Sequence, residues 1–125
     1  MDKIARLTID GTDQSEVVVA DTPLRRLRGM LGRRPLPPAL ILRPTSSVHG
    51  IGMREALDIA VLDTDGVVLT IAVLRPMRAT APVRRGKQVL EAPVGSFARW
   101  GLERGSRVTV SDPAHGSGTG PITPR

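Results

Sequence analysis

Cysteine is absent from the 125-residue chain, which excludes disulfides, thiolate nucleophiles and Cys-based zinc sites. Phe97 and Trp100 are the whole aromatic complement. So small a supply removes the stacking platforms of single-strand binders and most aromatic-lined ligand pockets. No apolar run approaches the roughly 18 residues that a membrane helix needs. The start, Met1-Asp2-Lys3-Ile4, lacks the basic segment, apolar stretch and cleavage site of a secretory signal. The expectation is therefore a cytoplasmic protein without a transmembrane segment.

What remains is the material of one small soluble domain. Apolar residues make up 40% and charged residues 24% of the chain, enough for one modest core and too little length for two. The net charge is +6, and it alternates along the chain. Residues 1–21 carry −3, residues 22–54 carry +7 with no acid, residues 55–74 carry −4 with no base, and residues 75–110 carry +6. Basic segments of this kind bind polyanions without specificity, so charge alone identifies no partner.

Hydrophobic periodicity and turn residues divide the chain into short elements. Ile4, Leu7 and Ile9 precede Asp10-Gly11, and Val17-Val18-Val19 follow, which predicts a hairpin across 3–20. A helix is predicted over 22–31. Asp21 or Thr22 caps it, Pro23 suits its first turn, Leu24, Leu27 and Leu31 share a face, and Gly32 stops it. Pro35-Leu36-Pro37-Pro38 is a stiff connection. Short strands are predicted at 39–42 and 57–62, with an extended, Gly-interrupted segment at 46–53 between them. Asp63-Thr64-Asp65-Gly66 then turns the chain back into a partner strand over 67–74. Residues 76–86 read as a loop, Val89-Leu90 as a short strand, 96–100 as one helical turn, and 107–110 as a last strand. The Gly/Ser/Thr/Pro mixture after Ser111 cannot bury enough surface to order itself, so 112–125 is read as a disordered tail. The fold class is α+β and predominantly β: a small curled sheet or partial barrel, one domain over 1–111, with one main helix.

Four segments stand in a characteristic order. They are Arg25-Arg26-Leu27-Arg28-Gly29-Met30-Leu31-Gly32-Arg33 and Ser47-Val48-His49-Gly50-Ile51-Gly52-Met53-Arg54. Then come Leu57-Asp58-Ile59-Ala60-Val61-Leu62-Asp63 with Asp65-Gly66, and Val89-Leu90-Glu91-Ala92-Pro93-Val94-Gly95. Together, across about residues 15–110, they resemble the bacterial and archaeal family called domain of unknown function 192. The resemblance implies a compact β-rich fold and carries no established activity. Many relatives look exported or lipid-anchored. Relatives also often carry a bulky residue near Gly50-Ile51 and a proline near Ala56, so a pocket lined by this strand is expected to be shallower here.

The residues with chemical potential are few. His49 and Asp58 lie on successive extended segments, and a His–carboxylate pair can act as acid and base or supply two metal ligands. Only Glu55 is near enough in sequence to add a third, so no metal and no cofactor is expected. Asp58 sits between Leu57 and Ile59 in an apolar strand and must find an arginine or backbone donors, because an unpaired buried carboxylate is very costly. Arg28, Arg33 and Arg54 are its predicted partners. Read structurally, Asp58 pins a loop or the helix; read functionally, it lines an anion or polar-ligand site with those arginines. Met30, Met53 and Met77 are read as core filler. Serine-hydrolase elbows and phosphate-binding loops are absent. Arg25–Arg34 and Arg84-Arg85-Gly86-Lys87 could meet phosphates, but no nucleic-acid-binding module accompanies them.

The expectation that follows is a non-enzymatic binding or accessory module recognising an anionic or polar group, with Arg28, Arg33, His49, Arg54 and Asp58 as ligand-binding residues. Its alternatives are a small enzyme with His49 and Asp58 as an acid–base pair, and a structural subunit docking an acidic protein through its arginine-rich faces.

Overall fold

A computed structural model describes residues 3–50 and 52–111, so the predicted tail at 112–125 lies outside the described residues. The chain begins with β1 (Lys3–Ile9) and β2 (Thr12–Ala20), joined through Asp10-Gly11 as the turn residues predict. Helix α1 follows at Pro23–Arg28, with Thr22 Oγ1 accepting from the Arg25 N–H at 3.2 Å. It is shorter than the predicted 22–31. The chain leaves the helix at Gly29, whose φ of 51° and ψ of −128° are open to glycine and strained for any other residue. Gly32 therefore does not end α1, and Leu31, predicted to share its apolar face, is 39% exposed beyond it. The side chains of Leu24 and Leu27, the rest of that face, lie outside the description.

The remaining strands are β3 (Leu40–Leu42), β4 (Leu57–Leu62), β5 (Val68–Leu74), β6 (Gln88–Pro93) and β7 (Val108–Ser111), with a short helix α2 at Ser96–Trp100. They form one seven-stranded sheet in the order β5-β4-β6-β3-β2-β1-β7. All pairings are antiparallel except β2 with β3, where α1 makes the crossover. The strand predicted at Val89-Leu90 extends to six residues, because it lies between β3 and β4 and bonds to both.

The two edges of the sheet meet at one end. Val68 donates to the Ser106 carbonyl at 2.9 Å and accepts from the Gly105 N–H at 2.9 Å, and Val108 donates to the Gly66 carbonyl at 2.8 Å. Gly66 is required there, since a Cβ at its φ of +85° would overlap the Val108 carbonyl oxygen. The sheet thus curls into a half-barrel.

Each face of the sheet buries its own core. The inner face draws on all seven strands, including Leu7, Val17, Ile41, Leu62, Leu90 and Val108, and is plugged by Phe97 and Leu102. The outer face, with Val18, Leu40, Ile59 and Val89, is covered by Met30 and Val48 from the segments around α1 and before β4. Double coverage explains why β3 and β4 are apolar at almost every position rather than alternating. Edge strand β5 is covered less, and Ile71 and Val73 are exposed.

Candidate functional site

Two carboxylates interrupt the central strands, and alternation sends them to opposite faces. Asp58 pairs with Ala92, an inner-face residue; Glu91 pairs with Ile59, an outer-face residue. Asp58 Oδ2 accepts the backbone N–H groups of Gly95 at 3.0 Å and Phe97 at 3.2 Å. It thereby caps the start of α2, which has no capping side chain of its own. Backbone donors rather than the predicted arginines satisfy it, because those arginines are carried by segments over the outer face. These two bonds tie β4 to the start of α2.

Glu91 has no such partner. It is 2% exposed, flanked in the sheet by Leu40 and Ile59, and its Oε1 has no hydrogen-bond donor among the described residues. Burial in this apolar setting pushes its carboxyl up to about 7. The exit of α1 passes directly over it, so that a Cβ on Gly29 would stand 3.6 Å from Oε1. Sequence reasoning missed Glu91 as a site residue. The signal was present: a lone acid in Val89-Leu90-Glu91-Ala92 is as anomalous as Asp58 in its own strand.

Above Glu91 lies a cavity of about 240 Å³ whose walls include Arg26, Arg28, Ser47, Val48, His49 and Glu91. Each wall has a local cause. Arg26 and Arg28 stand in the last turn of α1, where cations also suit the helix dipole. Arg28 Nε donates to the Leu31 carbonyl at 3.0 Å, fixing the stem of that side chain. The 45–49 segment is held by Thr80, whose N–H donates to the Val48 carbonyl and whose Oγ1 accepts from the Val48 N–H, both at 2.9 Å. His49 bridges to Ala79 in the same ribbon and is half-buried.

Arg33 and Arg54 lie elsewhere, in a neighbouring hollow of about 340 Å³ that also includes Arg34, Glu55, Met30 and Met53. A narrow void lined by Arg28, Met30, His49, Met53 and Glu91 lies between the two. The five sequence-predicted residues therefore divide three ways: Arg28 and His49 with Glu91, Arg33 and Arg54 beside them, and Asp58 on the far face. The His49–Asp58 pair is not assembled. Among the described residues no three His, Asp or Glu side chains converge as metal ligands, and no helix is long and apolar enough to cross a membrane. Met30 is buried and Met53 packs against the outer core, as read; Met77 is 67% exposed, its sulfur 3.5 Å from the Gly52 N–H.

The sequence profile of the family described as uncharacterized ACR, domain of unknown function 192, matches residues 5–110. The chain belongs to this family. Among its relatives is a UPF0127 protein of Pyrococcus furiosus, 34% identical over 98 residues that cover 74% of this chain and 84% of the relative. A UPF0127 protein of Pyrococcus abyssi is 29% identical over 100 residues, covering 76% and 86%. Two crystal structures share the fold. A Novosphingobium aromaticivorans protein of unknown function superposes with a TM-score of 0.70 at 23% identity, covering 85% of this chain and 84% of its own. A Sinorhizobium meliloti protein, described provisionally as a transcription regulator, gives 0.69 at 24% identity, covering 88% and 94%. Among the described residues, the outer-face cavity brings Arg26, Arg28, His49 and the buried Glu91 around one open volume.

Proposed function

We propose that the chain is a non-enzymatic binding module that recognises an anionic or polar group in the cavity between α1 and the 45–49 segment, with Arg26, Arg28, His49 and Glu91 as its contacts. The observation that carries this reading is the meeting of two arginine side chains and a buried residue with an unpartnered carboxyl oxygen on one 240 Å³ cavity; Arg26 Nη1 is held by the carbonyls of Asp21 and Arg43 at 3.3 and 3.4 Å, while Arg28 is exposed. Guanidinium groups present forked donors that match carboxylate and phosphate oxygens. A fold maintained for packing alone would gain by replacing Glu91 with an apolar residue, since a buried unpaired acid only costs stability. Arg33 and Arg54, in the adjoining hollow, extend the cationic surface rather than form the primary contacts.

The binding reading is preferred to the acid–base alternative because Asp58 lies on the opposite face of the sheet from the cavity, its Oδ2 accepting the N–H groups of Gly95 and Phe97. Thermal unfolding in phosphate, sulfate and citrate, against chloride at equal ionic strength, tests the reading. The expected result is an increment of stabilisation by at least one of these anions, above their general effect on any fold, that Arg28→Ala lowers and Arg104→Ala, a distant exposed control, keeps. Equal stabilisation of the unmodified chain and Arg28→Ala in every salt would refute it, because these anions stabilise any fold by exclusion from its surface.

A further inference from the structure

The cavity has two chemically different ends. Arg26 and Arg28 supply positive charge from α1, and Arg28 is exposed to solvent. Glu91 supplies an acceptor from the middle of the sheet, 98% shielded from solvent and without a donor for Oε1. A simple anion can satisfy the first end and leaves the second as it was. A hydroxyl would give Oε1 a neutral donor. An ammonium group does more, because it supplies both the donor and the opposite charge that an ionised carboxylate at this depth requires.

From this bipolar arrangement we infer that the ligand is a small zwitterion, an anionic head on Arg26 and Arg28 joined by a short linker to an amine that donates to Glu91 Oε1. The inference rests on the anion-binding reading of the same cavity and adds its second pole. Size limits the ligand further. An apolar cavity of about 150 Å³ accommodates benzene, so about 240 Å³ has room for a molecule of roughly ten non-hydrogen atoms. That range suits an amino acid or a phosphorylated amino alcohol and excludes a nucleotide held entirely within it. Gly29 fits this role: it keeps the chain above Glu91 free of a side chain that would stand 3.6 Å from Oε1 and crowd an incoming amine.

The test compares pairs of probes that differ only at the far end. O-Phosphoethanolamine is set against propyl phosphate, and 4-aminobutyrate against pentanoate, so that one pair carries a phosphate head and the other a carboxylate. Affinities are measured by titration calorimetry on the full chain. In at least one pair the amine is expected to bind about tenfold or more tighter than its methyl counterpart, the scale of one charge-assisted hydrogen bond. In Glu91→Gln that preference should fall to near unity while the binding of propyl phosphate or pentanoate persists. Equal affinities within each pair for the unmodified chain, with Arg28-dependent binding of the methyl probes intact, overturn the zwitterion and leave the anion reading standing. Absence of binding by all four probes, together with equal salt stabilisation of the unmodified chain and Arg28→Ala, overturns both. The comparison within each pair uses the unmodified protein, so the amine preference itself is read without any variant.

Discussion

Replacing Glu91 by Gln removes the ionisation and nearly preserves the shape, so the stability difference between the two proteins should depend on pH in a calculable way. Burial raises the Glu91 carboxyl from 4.5 to about 7. A carboxyl raised in the folded state holds its proton more tightly there than in the unfolded chain. The folded state is therefore favoured at pH values below 4.5, and that advantage is lost progressively as pH rises to about 7. A gap of about 2.5 between the two values corresponds to about 3 kcal/mol at 1.36 kcal/mol per unit. At pH 5 the native protein and Glu91→Gln should differ by less than about 1 kcal/mol from this source. At pH 8 the variant should be more stable by about 3 kcal/mol, because only the native protein must then bury a charge or take up a proton to fold. Urea unfolding of both proteins at pH 5, 6, 7 and 8, with equal slopes as the control for two-state behaviour, reads the difference directly. Titration of groups remote from Glu91 is shared and cancels. A difference constant across that range would refute the argument, since it would mean that Glu91 ionises as readily folded as unfolded.

Other substitutions test separate parts of the account. Asp58→Ala leaves the N–H groups of Gly95 and Phe97 without their acceptor and should cost about 2 kcal/mol or more in urea unfolding at pH 7. Asp58→Asn, which retains an oxygen acceptor, should cost less than half as much; equal losses would argue against the capping role. Gly66→Ala should destabilise strongly through overlap with Val108, and hydrogen exchange should show lost protection at Val68 and Val108, the closure bonds, before the β1–β2 hairpin. Leu90→Ala, in the inner core, should cost about 2–5 kcal/mol with the ligand preference of the outer-face cavity unchanged among the molecules that remain folded.

Local signals in the sequence reach a long way in this protein. Asp10-Gly11 and Asp63–Gly66 bend their hairpins because such residues accept the backbone angles of tight turns, and the strands between them are apolar runs bounded by Gly, Pro and Asp. Those features suffice for a predominantly β domain with α1 and α2 near their observed places, and for the family. Where elements end is less local. The strand around Val89 lengthens because two neighbours offer it hydrogen bonds, and α1 stops at Gly29 rather than Gly32 because the chain must turn down over the sheet there.

The site shows the same division more sharply. That Asp58 needed a partner could be read from its apolar neighbours. Which partner Asp58 takes could not, because α2 lies almost forty residues away and strand order alone brings Gly95 and Phe97 to it. Nor does sequence say that Asp58 and Glu91 face opposite ways. That follows from the register in which Asp58 meets Ala92 and Ile59 meets Glu91, a pairing in which a slip of one residue would exchange the faces. The sequence determined which groups would be expensive to bury. Tertiary structure decided which of them found a partner within the fold, Asp58, and which was left facing a cavity, Glu91.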